Sequence, residues 1–307
     1  MKQTKNAKVN ANRSKFIRET VFAAAIVVLP LAWWAFSFFY TTFDTIILGF
    51  KTYDRISQQT IPAGFDNFRV VISGMFTPGH LLNISLKNSI VLWLINVLFA
   101  IPLSLLVSFA LYKKVIGAGI FKVILFLPSI VSSMVGVLVF SFFVDKGLCQ
   151  NAELSWLSDN NINFYVLLFY NLWLGFAGNM VLYTGAMSRI PPSLVEAGHL
   201  DGMNDFQEFF HIVLPLIFPT LSVILTTCII TVFTIQLPAF AFYGNEGTQN
   251  KPHLYTFGLY SFMKGYAQDP GETPLVSAIS MVVCLIAAPV SILVRKLLEK
   301  ISPTVEF

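Results

Sequence analysis

Charged side chains are scarce in this sequence of 307 residues, because only 12% of them are Asp, Glu, Lys or Arg. An ordinary soluble domain carries about 25%. Hydrophobic residues make up 55% of the chain, and 30 residues are Phe. A water-soluble fold of this length could not bury so much apolar surface, so the composition predicts that lipid surrounds most of the chain.

Cysteine and histidine are also few, with three Cys and four His scattered along the chain. Cys228 and Cys284 fall inside apolar stretches and Cys149 lies between two others. This spacing indicates neither a disulfide framework nor a metal site. The net charge of +4 is small, and the basic residues form no stripe interleaved with aromatics, so nucleic acid is not an expected partner.

Motifs of known chemistry are absent as well. The sequence contains no HExxH, no GxSxG and no GxxxxGK[ST] phosphate loop, so we predict no catalytic residue. No Asp, Glu, Lys or Arg interrupts the long apolar stretches, which argues against a proton-coupled transporter and an intramembrane protease. A sodium site built from carbonyl and hydroxyl groups remains an open alternative. Any driving energy is expected to come from another subunit.

Long apolar stretches are what the sequence does contain. A helix needs about 20 such residues to cross a bilayer. We therefore predict an all-α polytopic membrane protein with about six transmembrane helices in one domain, residues 20–300. The predicted spans are residues 21–43, 88–112, 123–144, 163–187, 212–236 and 274–296.

Lys and Arg are concentrated in the tail 1–19, in the loop after the second span and after the last span. The positive-inside rule predicts that these segments lie in the cytoplasm, so that both termini are cytoplasmic, with a C-terminal tail at 301–307. The first stretch is interpreted as a retained anchor because it lacks a clear cleavage site. The outer connections are polar and rich in Gly and Pro, which favours solvent-exposed loops at 44–87, 145–162 and 246–272.

The inner connection 189–215 differs from the other loops. Pro191 and Pro192 should end the preceding helix, since proline lacks a backbone donor and clashes with the previous turn. Ser193 and Glu196 have the spacing of a capping box that opens a new helix. Gly202 suits the left-handed residue that ends it.

A second short helix should follow, because Asn204 and Gln207 again have the spacing of a start signal. The resulting helix-turn-helix contains four acids and only Arg189 as a basic residue. An acidic face is unfavourable against anionic lipid, which favours docking to a basic groove on a partner protein. The alternative is that Glu196 only caps its helix and the acids are solvated. The four acids are Glu196, Asp201, Asp205 and Glu208.

The spacing of residues in this loop favours docking to a partner protein over a merely solvated acidic face. Glu196-Ala197-Gly198, three residues, Gly202, nine residues and Ile212-x-Leu214-Pro215 resemble the E-A-A-x3-G-x9-I-x-L-P signature of ATP-binding-cassette (ABC) importer permeases. Gly198 is the one departure, in place of the second Ala. The resemblance implies a type I ABC importer permease core whose cytoplasmic loop fits a cleft on an ATPase subunit. It implies an ATPase-coupling set of Glu196, Ala197, Gly198, Leu200, Asp201 and Gly202.

Further segments resemble the carbohydrate branch of these permeases, the maltose-type and multi-sugar systems. They include Asp201-Gly202-Met203, Phe206-Gln207 and Asn171-Leu172-Trp173-Leu174-Gly175-Phe176. The resemblance implies a heterodimer with a second, related permease subunit, two ATPase subunits and an extracytoplasmic solute-binding protein. ATP and magnesium would bind the ATPase, so no cofactor is expected on this chain.

In maltose-type permeases the sugar contacts come from the helices before and after the coupling loop. The resemblance thereby implies a substrate pathway past Asn171, Leu174, Gly175, Cys228 and Thr231. Val232 and Ile235 stand where the maltose-type site has polar amides, and Gly178 stands where it has an aromatic residue. Other polar candidates are Asn179, Tyr183 and Gln236. Each of these residues has a purely structural alternative, since polar and small residues also join membrane helices to one another.

The function expected from these features is that of a permease subunit in an ATP-driven sugar importer. One alternative is an ABC permease for another solute, such as glycerol phosphate or a peptide, although a phosphate would favour basic residues near the pore. A second alternative is a secondary transporter or channel that works alone. A third is a membrane scaffold without a permeation path.

Overall fold

A computed structural model of the protein describes residues 2–115, 117–148, 155–236, 238–267 and 269–301. Cys149 and the predicted C-terminal tail beyond Ile301 lie outside these residues. The described chain is helical apart from one small hairpin, so the predicted all-α class is confirmed.

The elements follow one another along the chain, and three π-helical turns interrupt the α-helices at Asn96–Ala100, Phe143–Leu148 and Phe209–Val213. In chain order they are α1 (Lys2–Gly49), β1 (Lys51–Asp54), β2 (Gln59–Pro62), α2 (Asp66–Phe76), α3 (Leu81–Ile95), α4 (Ile101–Tyr112), α5 (Ala118–Ile130), α6 (Ser133–Phe142), α7 (Asn163–Met187), α8 (Pro192–Leu200), α9 (Asp205–Glu208), α10 (Leu214–Thr234), α11 (Ala239–Gln249), α12 (Phe257–Tyr266) and α13 (Thr273–Ile301). A short 3-10 turn, Pro252–Leu254, precedes α12. Strands β1 and β2 pair antiparallel, with Lys51 opposite Pro62 and Asp54 opposite Gln59.

Within the described chain, five helical segments are long and apolar enough to cross a membrane, one fewer than the six spans predicted. The difference lies in the predicted span 123–144, which is divided between α5 and α6. Val131 and Ser132 between them are extended, with ψ angles of 138° and 136°. Neither helix alone has the roughly 20 residues of a span. The five segments are Ile26–Gly49, Leu81–Tyr112, Asn163–Met187, Asp205–Gln249 and Thr273–Lys300.

The prediction that the connection 246–272 is a solvent-exposed loop is wrong for its middle part. In α12 the side chains of Phe257, Leu259 and Met263 are buried in the core. Amphipathic helices of this length are easily read as polar loops, because Gly and Tyr separate their apolar residues.

Side chains of α3 provide hydrogen-bond partners for the irregular backbone that precedes α12. Asn88 Nδ2 donates to the carbonyl oxygens of His253 and Tyr255, at 2.8 Å each. Phe257 N–H donates to Ser89 Oγ at 2.8 Å. Buried backbone groups need such partners, and non-helical backbone is tolerated at membrane depth only where protein supplies them.

The buried side chains form two clusters. One surrounds Tyr170 and includes Phe140 and Phe257. The other surrounds Tyr183 and includes Phe209 and Ile217, next to the loop between α7 and α10. Helix α7 contributes to both, so this single helix connects the loop with the opposite end of the protein.

Candidate functional site

Helix α8, in the loop between α7 and α10, begins two residues earlier than a Ser193 capping box requires. Helix α8 starts at Pro192, its N-cap is Pro191, and no side chain caps it. The predicted Ser193–Glu196 capping box is therefore wrong. Pro191 has an extended ψ of 128°, and Pro192 occupies the first helical position, where a fixed φ and a missing N–H carry no penalty.

The end of α8 agrees with the predicted role of Gly202. Its φ is +81°, in the left-handed region. Gly202 N–H donates to His199 O at 3.1 Å, and Met203 N–H donates to Gly198 O at 3.0 Å. This pair of bonds is a Schellman motif, in which glycine has the lowest conformational cost.

The second helix begins with the predicted capping box. Asn204 Oδ1 accepts from Gln207 N–H at 2.8 Å, and Gln207 Oε1 accepts from Asn204 N–H at 3.0 Å. The turn between α8 and α9 is thus fixed on both sides by local hydrogen bonds, which gives the loop a defined shape.

The ATPase-coupling set predicted from the sequence forms a continuous turn, and five of its six members are exposed. Leu200 is the most exposed of the described large hydrophobic residues of this loop, at 89%. This side chain lies at the C-terminal end of α8, two residues before the left-handed residue Gly202. Gly198 is the exception, because it lies on the buried side of α8.

Two of the four acids of the loop, the exposed Asp205 and the buried Glu208, pair with Lys113, so the alternative that all four acids are merely solvated is wrong for these two. Glu208 is fully buried, and its Oε2 lies 2.7 Å from Lys113 Nζ and 2.7 Å from His199 Nε2. Lys113 Nζ also lies 3.0 Å from Asp205 Oδ1. Burial alone would lower the pKa of Lys113, but the hydrogen bonds and charges of Glu208 and Asp205 outweigh it and raise that pKa.

His199, Asp205 and Glu208 could in principle share a metal ion, since their ligand atoms lie within 4.8 Å of one another. The ammonium of Lys113 already contacts both carboxylates and offsets one of their two negative charges. The chemistry of this cluster is therefore that of an internal ion pair.

A cavity of about 380 Å³ lies between α7 and the segment that follows α10. It brings together three residues of the predicted substrate pathway, Asn171, Leu174 and Gln236. The cavity falls within the size range of small-molecule sites. Its lining is completed by Val137, Tyr170, Pro238, Phe240, Ala241 and Phe262.

The point at which the helical conformation ends after α10 forms one wall of this cavity. Helix α10 ends at Thr234, and Ile235 is extended with a ψ of 125°. The Ile235 carbonyl accepts from Thr256 Oγ1 at 2.7 Å. This bond satisfies a backbone group that the break frees, while Gln236 is left exposed beside the cavity.

The other five residues of the predicted pathway lie elsewhere. Tyr183 and Cys228 are buried in the second cluster. Thr231 Oγ1 donates to Cys228 O in its own helix at 2.6 Å. Asn179 is half-buried farther along α7, and Gly175 borders open space, since an added Cβ would meet nothing within 4 Å.

The aromatic residues of the cavity were missed by sequence reasoning. Tyr170 precedes Asn171, and this adjacency was the one available signal. Phe240 and Phe262 belong to no motif, and Phe262 falls in a segment that was predicted to be a loop. Only the fold brings α7, α11 and α12 to one cavity.

The features of this chain are typical of the membrane component of a transport system. They are an apolar helical core, an exposed turn between two of its helices, and an uncharged cavity. The chain belongs to the family of binding-protein-dependent transport system inner membrane components, whose sequence model matches residues 72–303.

Characterised permeases are similar over most of the chain. The multiple sugar-binding transport system permease protein MsmF of Streptococcus mutans is 24% identical over 282 residues, which cover 89% of this chain and 94% of that protein. The arabinooligosaccharides transport system permease protein AraP of Halalkalibacterium halodurans is 24% identical over 274 residues, covering 83% of this chain and 80% of that protein.

A solved structure has the same fold. It is that of a bacterial alginate ABC transporter in complex with alginate pentasaccharide-bound periplasmic protein. The matched chain superposes with a TM-score of 0.72 at 19% identity and covers 92% of this chain and 96% of that one. At this identity the likeness shows the fold alone.

Proposed function

We propose that this chain is the permease subunit of an ATP-driven importer for a sugar or oligosaccharide. The observation that carries the proposal is the uncharged cavity, in which the amides of Asn171 and Gln236 lie beside Tyr170, Phe240 and Phe262. Ligand sites commonly combine apolar and aromatic walls with a few polar groups that fix orientation. Amides can donate to and accept from sugar hydroxyls, while the rings offer flat apolar surfaces.

The chemistry of the cavity favours a neutral solute. None of the described residues that line it is charged at neutral pH. A phosphate or carboxylate in this space would have no cation beside it, and leaving a charge unpaired in a membrane protein is costly. The sugar-transport names of the similar permeases support the same substrate class.

The proposed assembly contains a second, related permease, two cytoplasmic ATPase subunits and an extracytoplasmic solute-binding protein. The turn from Glu196 to Gly202 would dock on the ATPase, with Leu200 inserted into its surface. ATP and magnesium would bind the ATPase subunits, and both termini of this chain would lie in the cytoplasm of a bacterium. The docked turn would have a different affinity for each ATP-dependent conformation of the ATPase. Each conformation would therefore favour a state in which the cavity is open to one side of the membrane.

Reconstitution tests this function. The chain is purified with its partner permease and ATPase subunits, inserted into liposomes, and supplied with the binding protein and labelled malto- and arabino-oligosaccharides, with acidic alginate oligosaccharides as the charged comparison. We expect ATP-dependent uptake of at least one neutral sugar by the complete assembly and neither uptake nor ATP hydrolysis by this chain alone. Sugar uptake by the chain alone would contradict the proposal, and so would a complete assembly that transports only charged solutes.

A further inference from the structure

Glu208 joins the coupling turn, Glu196 to Gly202, to α4, a helix that is distant in sequence. Its Oε2 bonds to Lys113, which directly follows α4, and to His199 in α8. A buried carboxylate is stable only while its partners keep their geometry. The other oxygen, Glu208 Oε1, is buried without a hydrogen-bond partner among the described residues. The bonds to Lys113 and His199 therefore hold this carboxylate in place, and they also fix α8 and α9 against α4.

A second contact lies beside the ion pair. The rings of Phe209 and Phe109 are 5.0 Å apart between centroids. Phe109 and Lys113 are four residues apart and therefore lie on one face of the chain at the end of α4. Consecutive residues of the loop, Glu208 and Phe209, thus contact consecutive turns of α4, one through charge and one through packing. Two adjacent contacts of different kinds resist both sliding and rotation of the loop against α4.

Helix α4 carries this connection onward to α7. Ser104 and Ser108 are fully buried, and Ser108 Oγ lies 3.3 Å from Met180 O of α7. Small side chains let membrane helices approach closely. Asn171 of the cavity lies nine residues before Met180 on the same helix, a distance of about 14 Å along the axis.

We infer that Lys113 is a positioning residue that transmits movement of the coupling turn, through Glu208, to α4 and α7. This inference rests on the proposed function. The loop is already continuous in sequence with α7 before it and with α10 after it, and the segment after α10 lines the cavity at Gln236. The Lys113–Glu208 pair adds a second, non-covalent connection to α7 through α4, so that α4 and both walls would move together when the ATPase moves the turn.

The test measures access to the cavity and needs no identified solute. Asn171→Cys is introduced, and the assembled importer in liposomes is treated with a water-soluble maleimide, with and without magnesium, ATP and vanadate. The same chain without Asn171→Cys gives the background. We expect nucleotide trapping to change the labelling rate of Cys at this position. Lys113→Met and Glu208→Gln should reduce that change by roughly two- to thirty-fold, while ATP hydrolysis per complex continues.

Lys114→Met is the matched control, because Lys114 is the exposed neighbour and the same charge is removed. Lys113→Arg keeps the charge and should retain most of the nucleotide-dependent change. Equal changes in Lys113→Met and Lys114→Met would overturn the inference. It would also be overturned if Lys113→Met and Glu208→Gln failed to assemble while Lys113→Arg assembled, since the pair would then be purely structural. No nucleotide-dependent change in the Asn171→Cys parent would instead contradict the proposed function itself.

Discussion

Gly198 and Ile212 lie in contact, although they belong to separate halves of the signature that identifies this family. A Cβ atom at position 198 would come within 2.8 Å of Ile212 Cδ1 and 3.2 Å of Met203 Sδ. A small residue is thus favoured by the packing of α8 against the π-helical turn that precedes α10. Ile212 Cδ1 is the free end of a side chain and can move, which explains how the family's usual Ala could be accommodated at the same place.

Reversing the charge of Glu196 should disrupt docking to the ATPase. Glu196 is exposed on the coupling turn, so its replacement should leave the fold intact. We expect Glu196→Lys to reduce ATP-dependent uptake strongly, measured in liposomes per assembled complex. Glu246→Lys is the control, because Glu246 is an exposed acid in α11, remote from the turn. Equal uptake by the two variants would mean that Glu196 has no part in docking.

A side chain at Gly202 should distort the turn without affecting the core. An added Cβ would meet nothing within 4 Å, but the φ of +81° is strained for any other residue. The strain costs about 1 kcal/mol, so Gly202→Ala should weaken association with the ATPase about fivefold. Gly119→Ala, which also meets open space, is the control. Association is measured by co-purification at graded ATPase concentrations, and unchanged association would show that the turn tolerates another conformation.

Replacing the cavity amides should change which solute is carried. Asn171→Leu and Gln236→Leu each remove a polar group from the cavity while the assembly stays intact. Loss of hydrogen bonds to the solute should reduce uptake about tenfold, at 1–1.5 kcal/mol per bond. Asn179→Leu, on the same helix but outside the cavity lining, serves as the comparison. If uptake is the same in all three, the amides serve only helix packing.

Acid should destabilise the segment before α12. His253 Nε2 lies 3.0 Å from Asn163 Oδ1, and burial, with a smaller contribution from Lys251, lowers the pKa of His253. Because the unfolded chain then binds the proton more readily, stability should be complete above about pH 6.5 and fall as the pH drops through that value. Melting temperatures of the purified protein at pH 5 and pH 7.5 measure this effect. His253→Gln should reduce the difference between the two temperatures.

The features that the sequence predicted correctly are those with local causes. Gly202 ends α8, and Asn204 with Gln207 starts α9, because each signal acts within a few residues. The bounds predicted for the span 163–187 match those of α7, a continuous apolar run. The succession of two short helices, α8 and α9, was likewise predicted from local spacing.

The features that were missed depend on contacts between distant segments. Lys113 and Glu208 are separated by 95 positions, and no pattern marks them as a pair. Glu208 was therefore grouped with the acids predicted to form the docking face. The extended residues between α5 and α6 interrupt a sequence that is apolar throughout, where composition cannot distinguish one long helix from two short ones.

The hydrogen bonds from Asn88 to the backbone before α12 have a practical consequence for labelling the protein. The connection between α11 and α12 contains Pro252 and His253 and looks suited to the insertion of an epitope tag. Its carbonyl groups are instead bound to α3, so an insertion there would separate α12 from the core. The hairpin tip at Ile56, which is 95% exposed, is the better position for a reporter peptide.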